Sequence, residues 1–202
     1  FESKQKEIKV NGKTMGTYYM INVVGLPKNI SEKKLQSEIT KTLNEVNKKL
    51  SNWDKFSEVS ILNKNKTTSP VYLSKDLYNV IYASNEIHIL SEGFFDITID
   101  PIIELWGFGY KNKKKKVPTE IDIKNSLKLV NQSKVLKLDS KNFLITKTNK
   151  DVTINLSSIA KGYGIDLIGK KLKKLGIENF LIDIGGDILT KGLNKVKQDW
   201  VI

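Results

Sequence analysis

Several absences in this 202-residue chain exclude whole classes of chemistry. The chain has no cysteine, so it forms no disulfide, no thiolate zinc site and no cysteine nucleophile. Its only histidine is His88, and no Gly-x-Ser-x-Gly motif accompanies it, which argues against a serine hydrolase triad. His88 falls within a helical pattern, where we expect a packing or surface residue.

The chain also has no arginine. All 34 of its basic residues are lysines, and with 22 acidic residues they give a net charge of +12. Arginine is the side chain best suited to bidentate contacts with phosphate and guanine. The lysines are spread along the chain, with one run at residues 113–116. We therefore expect no nucleic-acid partner, although the positive charge can attract a small anion.

Long apolar runs and leader patterns are missing as well. No apolar run approaches the roughly 18 residues of a transmembrane helix. No signal-peptide pattern precedes the first predicted strand, so we expect neither a signal nor an anchor segment within these residues.

The patterns that are present predict an α+β fold, in one domain over residues 1–202 with mainly antiparallel sheets and flanking helices. Alternation at residues 6–10 and 17–24 predicts a hairpin that turns at Asn11-Gly12. Ser31 and Ser74 are predicted to cap two long helices, and a third helix should run from Ser158 to Gly176. Further strands are predicted at 135–138, 143–146, 151–154, 180–184, 187–190 and from residue 200.

Residues 155–166 form the most informative segment, because polar groups lie where a predicted strand turns into a helix. Ser157, Ser158 and Lys161 offer two hydroxyls and an ammonium beside the free amides of a helix start. Such a position suits a phosphate or diphosphate. The alternative is an ordinary N-cap, with one serine capping the helix and Lys161 solvated.

This segment is one of four that occur in a recognisable order. The others are Met15-Gly16-Thr17, the polar run from residue 50 to 63, and the aromatic, glycine-punctuated run from 93 to 109. The fourth extends through Gly185-Gly186-Asp187. Together they resemble the ApbE family of flavin transferases, from about residue 10 to the end of the chain.

The resemblance implies an enzyme that cleaves FAD and transfers FMN to a threonine or serine hydroxyl of an acceptor protein. It implies a divalent cation, usually Mg²⁺, and a location on the outer face of the bacterial cytoplasmic membrane, exported or lipid-anchored. The alternative is a relative that binds FAD, or hydrolyses it to FMN and AMP, without transferring FMN. Either chemistry would depend mainly on positioning and charge neutralisation.

The resemblance also assigns residues to the site. Ser158 matches a metal ligand, and the positions that match FAD contacts are Met15, Trp53, Phe94, Phe95, Asp96, Asn155 and Lys161. Trp53 replaces the usual tyrosine and Asn155 the usual aspartate. Without the resemblance, Trp53 and the Phe94-Phe95 pair could simply be packing residues, and Asp183 and Asp187 are expected to stabilise a turn rather than bind metal.

The likeness covers the N-terminal two thirds of the family pattern. The family continues well beyond the position of Trp200, with a histidine-containing segment and further metal ligands. We therefore expect the C-terminal part of the domain to be missing here, and the metal site to be only partly encoded. No single residue of this chain is identified as catalytic, and the oligomeric state is left open.

Overall fold

The computed structural model describes residues 6–109 and 117–202, so the lysine run at 113–116 lies outside the described residues. In chain order, the elements are β1 (Glu7–Thr14), β2 (Thr17–Val24), α1 (Glu32–Leu50), α2 (Glu58–Lys64), β3 (Val71–Tyr72), α3 (Lys75–Leu90), α4 (Asp100–Leu105), α5 (Glu120–Leu127), α6 (Gln132–Val135), β4 (Leu136–Asp139), β5 (Leu144–Lys147), α7 (Ala160–Lys174), β6 (Asn179–Ile184) and β7 (Asp187–Lys191).

The predicted α+β class is confirmed, and both described sheets are antiparallel. The chain divides into two compact units. The first contains the described residues of Phe1–Asn47 with Ala160–Ile202, and its sheet has the strand order β1-β2-β6-β7. The second contains the described residues of Lys48–Ile159, and its sheet has the order β3-β5-β4.

The core of the first unit lies between its sheet and the helices α1 and α7. Leu35, Ile39 and Leu43 of α1 belong to this buried cluster, as do residues of α7 and the inward side chains of the sheet. These three residues recur every four positions, so α1 presents one apolar stripe to the core, as the sequence predicts. Ser31 caps the helix, because its hydroxyl accepts a hydrogen bond from the amide of Lys34 at 3.1 Å.

The first hairpin turns four residues later than the sequence predicts. β1 runs through Asn11-Gly12, and the turn is Met15-Gly16, with φ angles of 46° and 75°. Gly12 instead pairs with Tyr19, and a Cβ at Gly12 would lie 2.6 Å from the Tyr19 hydroxyl oxygen. The glycine therefore makes room for an aromatic ring rather than for a turn. The correction places Met15 at the tip of the hairpin.

The second unit confirms the predicted helix after Ser74, and it also contains the short helix α2. The Ser74 and Ser57 hydroxyls cap α3 and α2 by accepting hydrogen bonds from the amides of Leu77 and Ser60. The predicted β4–β5 hairpin is also present. The aromatic, glycine-punctuated run 93–109 contains the short helix α4 at Asp100–Leu105.

Two predicted strands are absent from the described structure. Residues 151–154 join no sheet, although Val152 and Ile154 are fully buried as alternation predicts. The N–H and carbonyl oxygen of Ile154 bond side-chain amides instead of a strand, as described below. Residues 200–202 also lie in no strand, and the Trp200 indole N–H instead donates to the carbonyl oxygen of Lys191 at 3.1 Å.

Within the part of the chain that the structure describes, no helix combines the length and the apolar character needed to cross a membrane.

Candidate functional site

Within residues 152–156, Ile154 and Leu156 are held by asparagine side chains in place of a neighbouring strand. The Asn63 amide donates to the carbonyl oxygen of Ile154 and accepts from its N–H, both at 2.8 Å. The Asn52 amide also donates to the Ile154 carbonyl oxygen and accepts from the Leu156 N–H, again at 2.8 Å. Buried backbone polar groups must find partners, and here two buried carboxamides supply them. We call Asn52, Asn63 and residues 152–156 the asparagine platform.

The platform presents Asn155, one of the predicted FAD contacts. Its backbone N–H donates to the carbonyl oxygen of Ile97 at 2.7 Å, and its side-chain Nδ2 donates to Asp100 Oδ1 at 3.0 Å. The Asn155 Oδ1 accepts from the amide of Ser157 at 3.0 Å. Asp100 is almost fully buried at the start of α4. An aspartate at position 155 would bring two carboxylates together there, whereas asparagine supplies a hydrogen-bond donor.

Trp53 lies in a tight turn next to the platform residue Asn52. The carbonyl oxygen of Ser51 accepts from the amide of Asp54 at 3.2 Å and from the Ser57 hydroxyl at 2.7 Å. These bonds fix the turn, yet 62% of Trp53 is exposed. The alternative interpretation of Trp53 as a core aromatic is therefore wrong. An indole held on a fixed turn and open to solvent is suited to stack on a planar ligand.

A buried lysine holds the end of α2, the helix that carries Asn63. The Lys147 ammonium donates to the carbonyl oxygens of Asn65, Lys150 and Leu62 at 2.7, 3.3 and 3.4 Å. The loss of hydration on burial lowers the pKa of Lys147, and the nearby charge of Lys66 lowers it further. The ammonium also neutralises the partial negative charge at the C-terminus of the helix.

The predicted contacts Phe94, Phe95 and Asp96 follow α3 in a loop of the same unit. Phe94 is 94% exposed, Phe95 is half-buried, and the Asp96 carboxylate is buried. Asp96 Oδ1 accepts from the amide of Thr98 at 2.7 Å, and Oδ2 accepts from the amide of Gln132 at 3.1 Å. The carboxylate thus has internal partners. Because Ile97 bonds Asn155, the loop, the platform and the Trp53 turn form one hydrogen-bonded assembly.

Met15 and Lys161 belong to the first unit, where the structure brings them to the same end of α7. The amide of Met15 donates to Asn47 Oδ1 at 3.0 Å, and Asn47 Nδ2 donates to the Thr14 hydroxyl at 2.9 Å, which fixes the hairpin tip. A Cβ at Gly164 would lie 3.1 Å from Met15 Cε. The thioether therefore packs against α7 one turn beyond Lys161.

Lys161 is held by the β6–β7 turn rather than being freely solvated. Its ammonium donates to the carbonyl oxygen of Gly185 at 3.2 Å and to Asp187 Oδ1 at 3.1 Å. We call Lys161, Gly185 and Asp187 the lysine cluster. Lys161 lies in the first turn of a 15-residue helix, where the free amides and the helix dipole favour an anion. An ammonium fixed at such a position can contribute to the binding of a phosphate group.

The two aspartates that flank the glycine pair differ in role. Asp183 Oδ1 accepts from the amide of Gly186 at 2.9 Å, which confirms the predicted turn-stabilising role. Asp187 was expected to do the same, but its carboxylate instead pairs with Lys161. The difference arises because the β6–β7 turn packs beside α7, and this proximity is not visible in the sequence.

The described residues do not form a complete metal centre. Within residues 6–109 and 117–202, no three His, Cys, Asp or Glu side chains are grouped closely enough to hold a metal ion. Ser158, the predicted ligand, is exposed, and it offers a single hydroxyl oxygen. Mg²⁺ prefers six oxygen ligands, so the described residues do not fit a self-contained magnesium site.

The family model described as "ApbE family" matches residues 15–202 of this chain. The chain belongs to the ApbE family. The match begins at Met15 and includes every residue that the sequence assigns to the site.

Curated relatives and solved structures agree with this membership. The chain is 33% identical to an FAD:protein FMN transferase of Vibrio cholerae over 201 residues, and 34% identical to one of Haemophilus influenzae over 205 residues. Each alignment covers 100% of this chain and 59% of the relative. The structure superposes on the flavin transferase ApbE from Vibrio cholerae with a TM-score of 0.93, covering 98% of this chain and 63% of that one. The chain thus spans about 59% of the length of these relatives.

Sequence reasoning assigned no role to several residues that position the site. Asn47, Asn52 and Asn63 hold the hairpin tip and the platform. Asn47 and Asn63 carried a signal, because each lies next to or within the apolar stripe of its helix, where a polar side chain requires a partner. Asp100 carried no comparable signal, since its partner Asn155 is 55 residues away.

Proposed function

We propose that this chain provides the flavin-nucleotide site of an FAD:protein FMN transferase. The observation that carries the proposal is the lysine cluster, in which an ammonium is fixed at the start of α7. Cleavage of FAD needs a group that holds and neutralises the diphosphate, and positioning and charge supply most of the catalysis in phosphoryl transfer. Family membership and the relatives' names support the same activity.

The residues proposed to contact FAD are those that the resemblance assigns. Lys161 and the amides at the start of α7 would face phosphate oxygens, and Trp53 and Phe94 present exposed aromatic surface suited to a planar ring. Met15 and Asn155 are held in place by hydrogen bonds and offer a thioether and a carboxamide. Asp96 would contribute through the backbone of its loop, because its carboxylate already has internal partners. Phe95 would contribute through its half-buried ring.

The proposed reaction transfers the FMN half of FAD to an acceptor protein. The oxygen of a threonine or serine hydroxyl attacks the FMN phosphorus and forms a new P–O bond, while the P–O bond to AMP breaks. AMP leaves with the bonding electron pair, and the hydroxyl proton passes to solvent. Magnesium dependence belongs to the proposal because charge on a diphosphate must be neutralised, with Ser158 as one proposed ligand. We also propose an extracytoplasmic location on the bacterial membrane, on the family resemblance alone.

A matched pair of lysine variants tests the site. Lys161 and Lys170 lie on the same helix, but Lys170 is exposed more than two turns further on. In Lys161→Ala, the loss of one charge-assisted hydrogen bond should raise the Kd for FAD about tenfold or more. Lys170→Ala should stay within about twofold of the unmodified protein, since it keeps the local site. Titration of FAD fluorescence measures both, and equal values would contradict the proposed site.

The transfer itself is tested with the protein produced from its complete reading frame. Incubation with FAD, Mg²⁺ and an acceptor protein should give a fluorescent flavin band that survives denaturing electrophoresis, with one FMN unit added to a threonine or serine by mass. EDTA should abolish the band if a divalent cation is required. Release of FMN and AMP without labelling of any acceptor would instead favour the alternative, an FAD hydrolase. FAD binding with neither product would favour a flavin-nucleotide binder.

A further inference from the structure

His88, the single histidine, lies near the C-terminus of α3 and is only 5% exposed. It has no part in the proposed reaction, yet it makes a directed polar contact. Its Nδ1 lies 2.7 Å from the carbonyl oxygen of Phe95. A carbonyl oxygen can only accept a hydrogen bond, so Nδ1 must carry the proton and donate.

The same residue organises the rest of the loop that follows α3. The carbonyl oxygen of His88 accepts from the amide of Gly93 at 2.8 Å and from the Ser91 hydroxyl at 3.2 Å. The Ser91 Oγ in turn accepts a hydrogen bond from the amide of Phe95 at 2.9 Å. The carbonyl oxygen of Ser91 accepts one from the amide of Phe94 at 3.0 Å. Gly93 adopts a φ of +87°, a conformation that glycine allows without strain. His88 and Ser91 thus form hydrogen bonds with the loop on both sides of Phe94.

The loop is also anchored at its far end. The Asp96 carboxylate, 3.7 Å from His88 Nδ1, bonds the amides of Thr98 and Gln132. Between these anchors, Phe94 is 94% exposed. The hydrogen bonds of His88, Ser91 and Asp96 restrict the conformations that the loop can adopt. Phe94 and the backbone around it are therefore held in place before a ligand binds. Preorganisation of this kind favours binding because less order has to be created on association.

We infer that His88 is a positioning residue, which acts with Ser91 to hold the loop 91–96 in the conformation that contacts the flavin nucleotide. The inference rests on the proposed function, because it takes FAD as the ligand of this loop. His88 does not touch FAD itself. Its contribution passes through the carbonyl oxygen of Phe95, which lies within hydrogen-bond distance of the donor at the Nδ1 position. Simple core packing, the alternative, would require the bulk of the ring but no particular donor.

Two substitutions separate these roles. In His88→Asn, the side-chain amide nitrogen occupies the place of Nδ1, so the bond to Phe95 can re-form. In His88→Gln, the amide nitrogen is one bond further out and corresponds to Nε2. Both variants lose the imidazole ring, so both should lower the melting temperature, and His88→Gln should lower it further because it also loses the bond to Phe95. We expect His88→Asn to bind FAD within about threefold of the unmodified protein, and His88→Gln to bind about tenfold more weakly.

The exposed apolar residues provide a second comparison. Leu90 is 84% exposed, close to the value for Phe94, and lies four residues earlier. Phe94→Ala should weaken FAD binding severalfold through lost aromatic contact, whereas Leu90→Ala should leave it unchanged. Neither change should alter the melting temperature appreciably, since neither side chain is packed.

Hydrogen exchange of residues 91–98, measured by mass spectrometry on the protein from its complete reading frame, distinguishes the possible failures. Faster exchange in His88→Gln than in His88→Asn, together with the predicted order of FAD affinities, supports the inference. Equal affinities of the two variants overturn it in favour of packing. Faster exchange without any change in FAD affinity also overturns the positioning role. If the unmodified protein binds no FAD, the proposed function fails, and the exchange rates alone then decide whether His88 holds the loop.

Discussion

The asparagine platform makes a quantitative prediction, because a buried segment there depends on side-chain hydrogen bonds. Asn63→Ala removes two hydrogen bonds with Ile154, one that Asn63 accepts from its N–H and one that Asn63 donates to its carbonyl oxygen. The carbonyl oxygen keeps its bond from Asn52, but the buried N–H loses the partner that Asn63 provides. The substitution therefore costs more stability at the N–H of Ile154 than at its carbonyl oxygen.

The magnitude follows from that difference. A buried N–H left without a partner costs about 1–3 kcal/mol, and loss of one of two bonds to the carbonyl oxygen costs about 0.5–1.5 kcal/mol. We therefore expect Asn63→Ala to lower the free energy of unfolding by roughly 1.5–4.5 kcal/mol. The gain in helix propensity from asparagine to alanine, about 0.5 kcal/mol, offsets a small part of this loss.

Equilibrium urea unfolding monitored by tryptophan fluorescence measures the change, with Asn44→Ala as the matched control. Asn44 also lies in a helix, but it is exposed, so it gains the same propensity and should alter stability by less than about 0.5 kcal/mol. The double variant with Asn52→Ala strips both donors from the Ile154 carbonyl oxygen, so its cost should exceed the sum of the single costs. The reasoning is refuted if Asn63→Ala is no more destabilising than Asn44→Ala.

Three further predictions concern single residues. Burial lowers the pKa of Lys147 in the folded protein below the ordinary value of about 10.4 that it has in the unfolded chain. Between the folded and the unfolded pKa, the unfolded chain binds more protons, so the contribution of Lys147 to stability rises with pH in that interval. Lys147→Met should remove that rise when unfolding is compared at about pH 8 and about pH 10, and unchanged slopes would contradict it. Gly185→Ala should cost roughly 1–3 kcal/mol of unfolding free energy, because φ is +58° and the new Cβ would lie 2.8 Å from Thr17 Cγ2; a cost near zero in a denaturant titration would be inconsistent with this geometry. Trp53→Leu should change stability by less than about 0.5 kcal/mol yet weaken FAD binding, with Trp53→Phe retaining most of the affinity; equal binding by Trp53→Leu and the unmodified protein would exclude a stacking role.

Local pattern was sufficient for most of the fold. The helix after Ser31 follows from apolar residues at a spacing of three and four, and the β4–β5 hairpin from alternation around a polar turn. The first hairpin was misplaced because Asn11-Gly12 has the composition of a turn, and only the ring of Tyr19 over Gly12 explains the glycine. The strand predicted at residues 151–154 failed for a related reason. The alternation predicted correctly which side chains are buried. It did not predict whether the backbone would bond a neighbouring strand or a pair of side-chain amides.

For the candidate site too, the sequence predicted one part and not another. The motifs located Trp53, Phe94 and Lys161 along the chain, and the family model matches the region that contains them. The residues that hold these side chains in place lie far away in the sequence. Lys161 is held by Gly185 and Asp187, 24 and 26 positions further on, so its state could not be inferred from the two serines beside it.

The sequence by itself determined the class of fold, the family and the excluded chemistries, because these depend on composition, periodicity and ordered motifs. The tertiary structure alone decided which polar groups meet. Asn155 bonds Asp100 and Asn52 holds Leu156, over separations of 55 and 104 residues. Hydrogen bonds act over about 3 Å of space, and local sequence does not show which groups from distant parts of the chain will come within that distance. Residues that are identical in local pattern therefore become a ligand contact, a support or a free surface group only when the chain has folded.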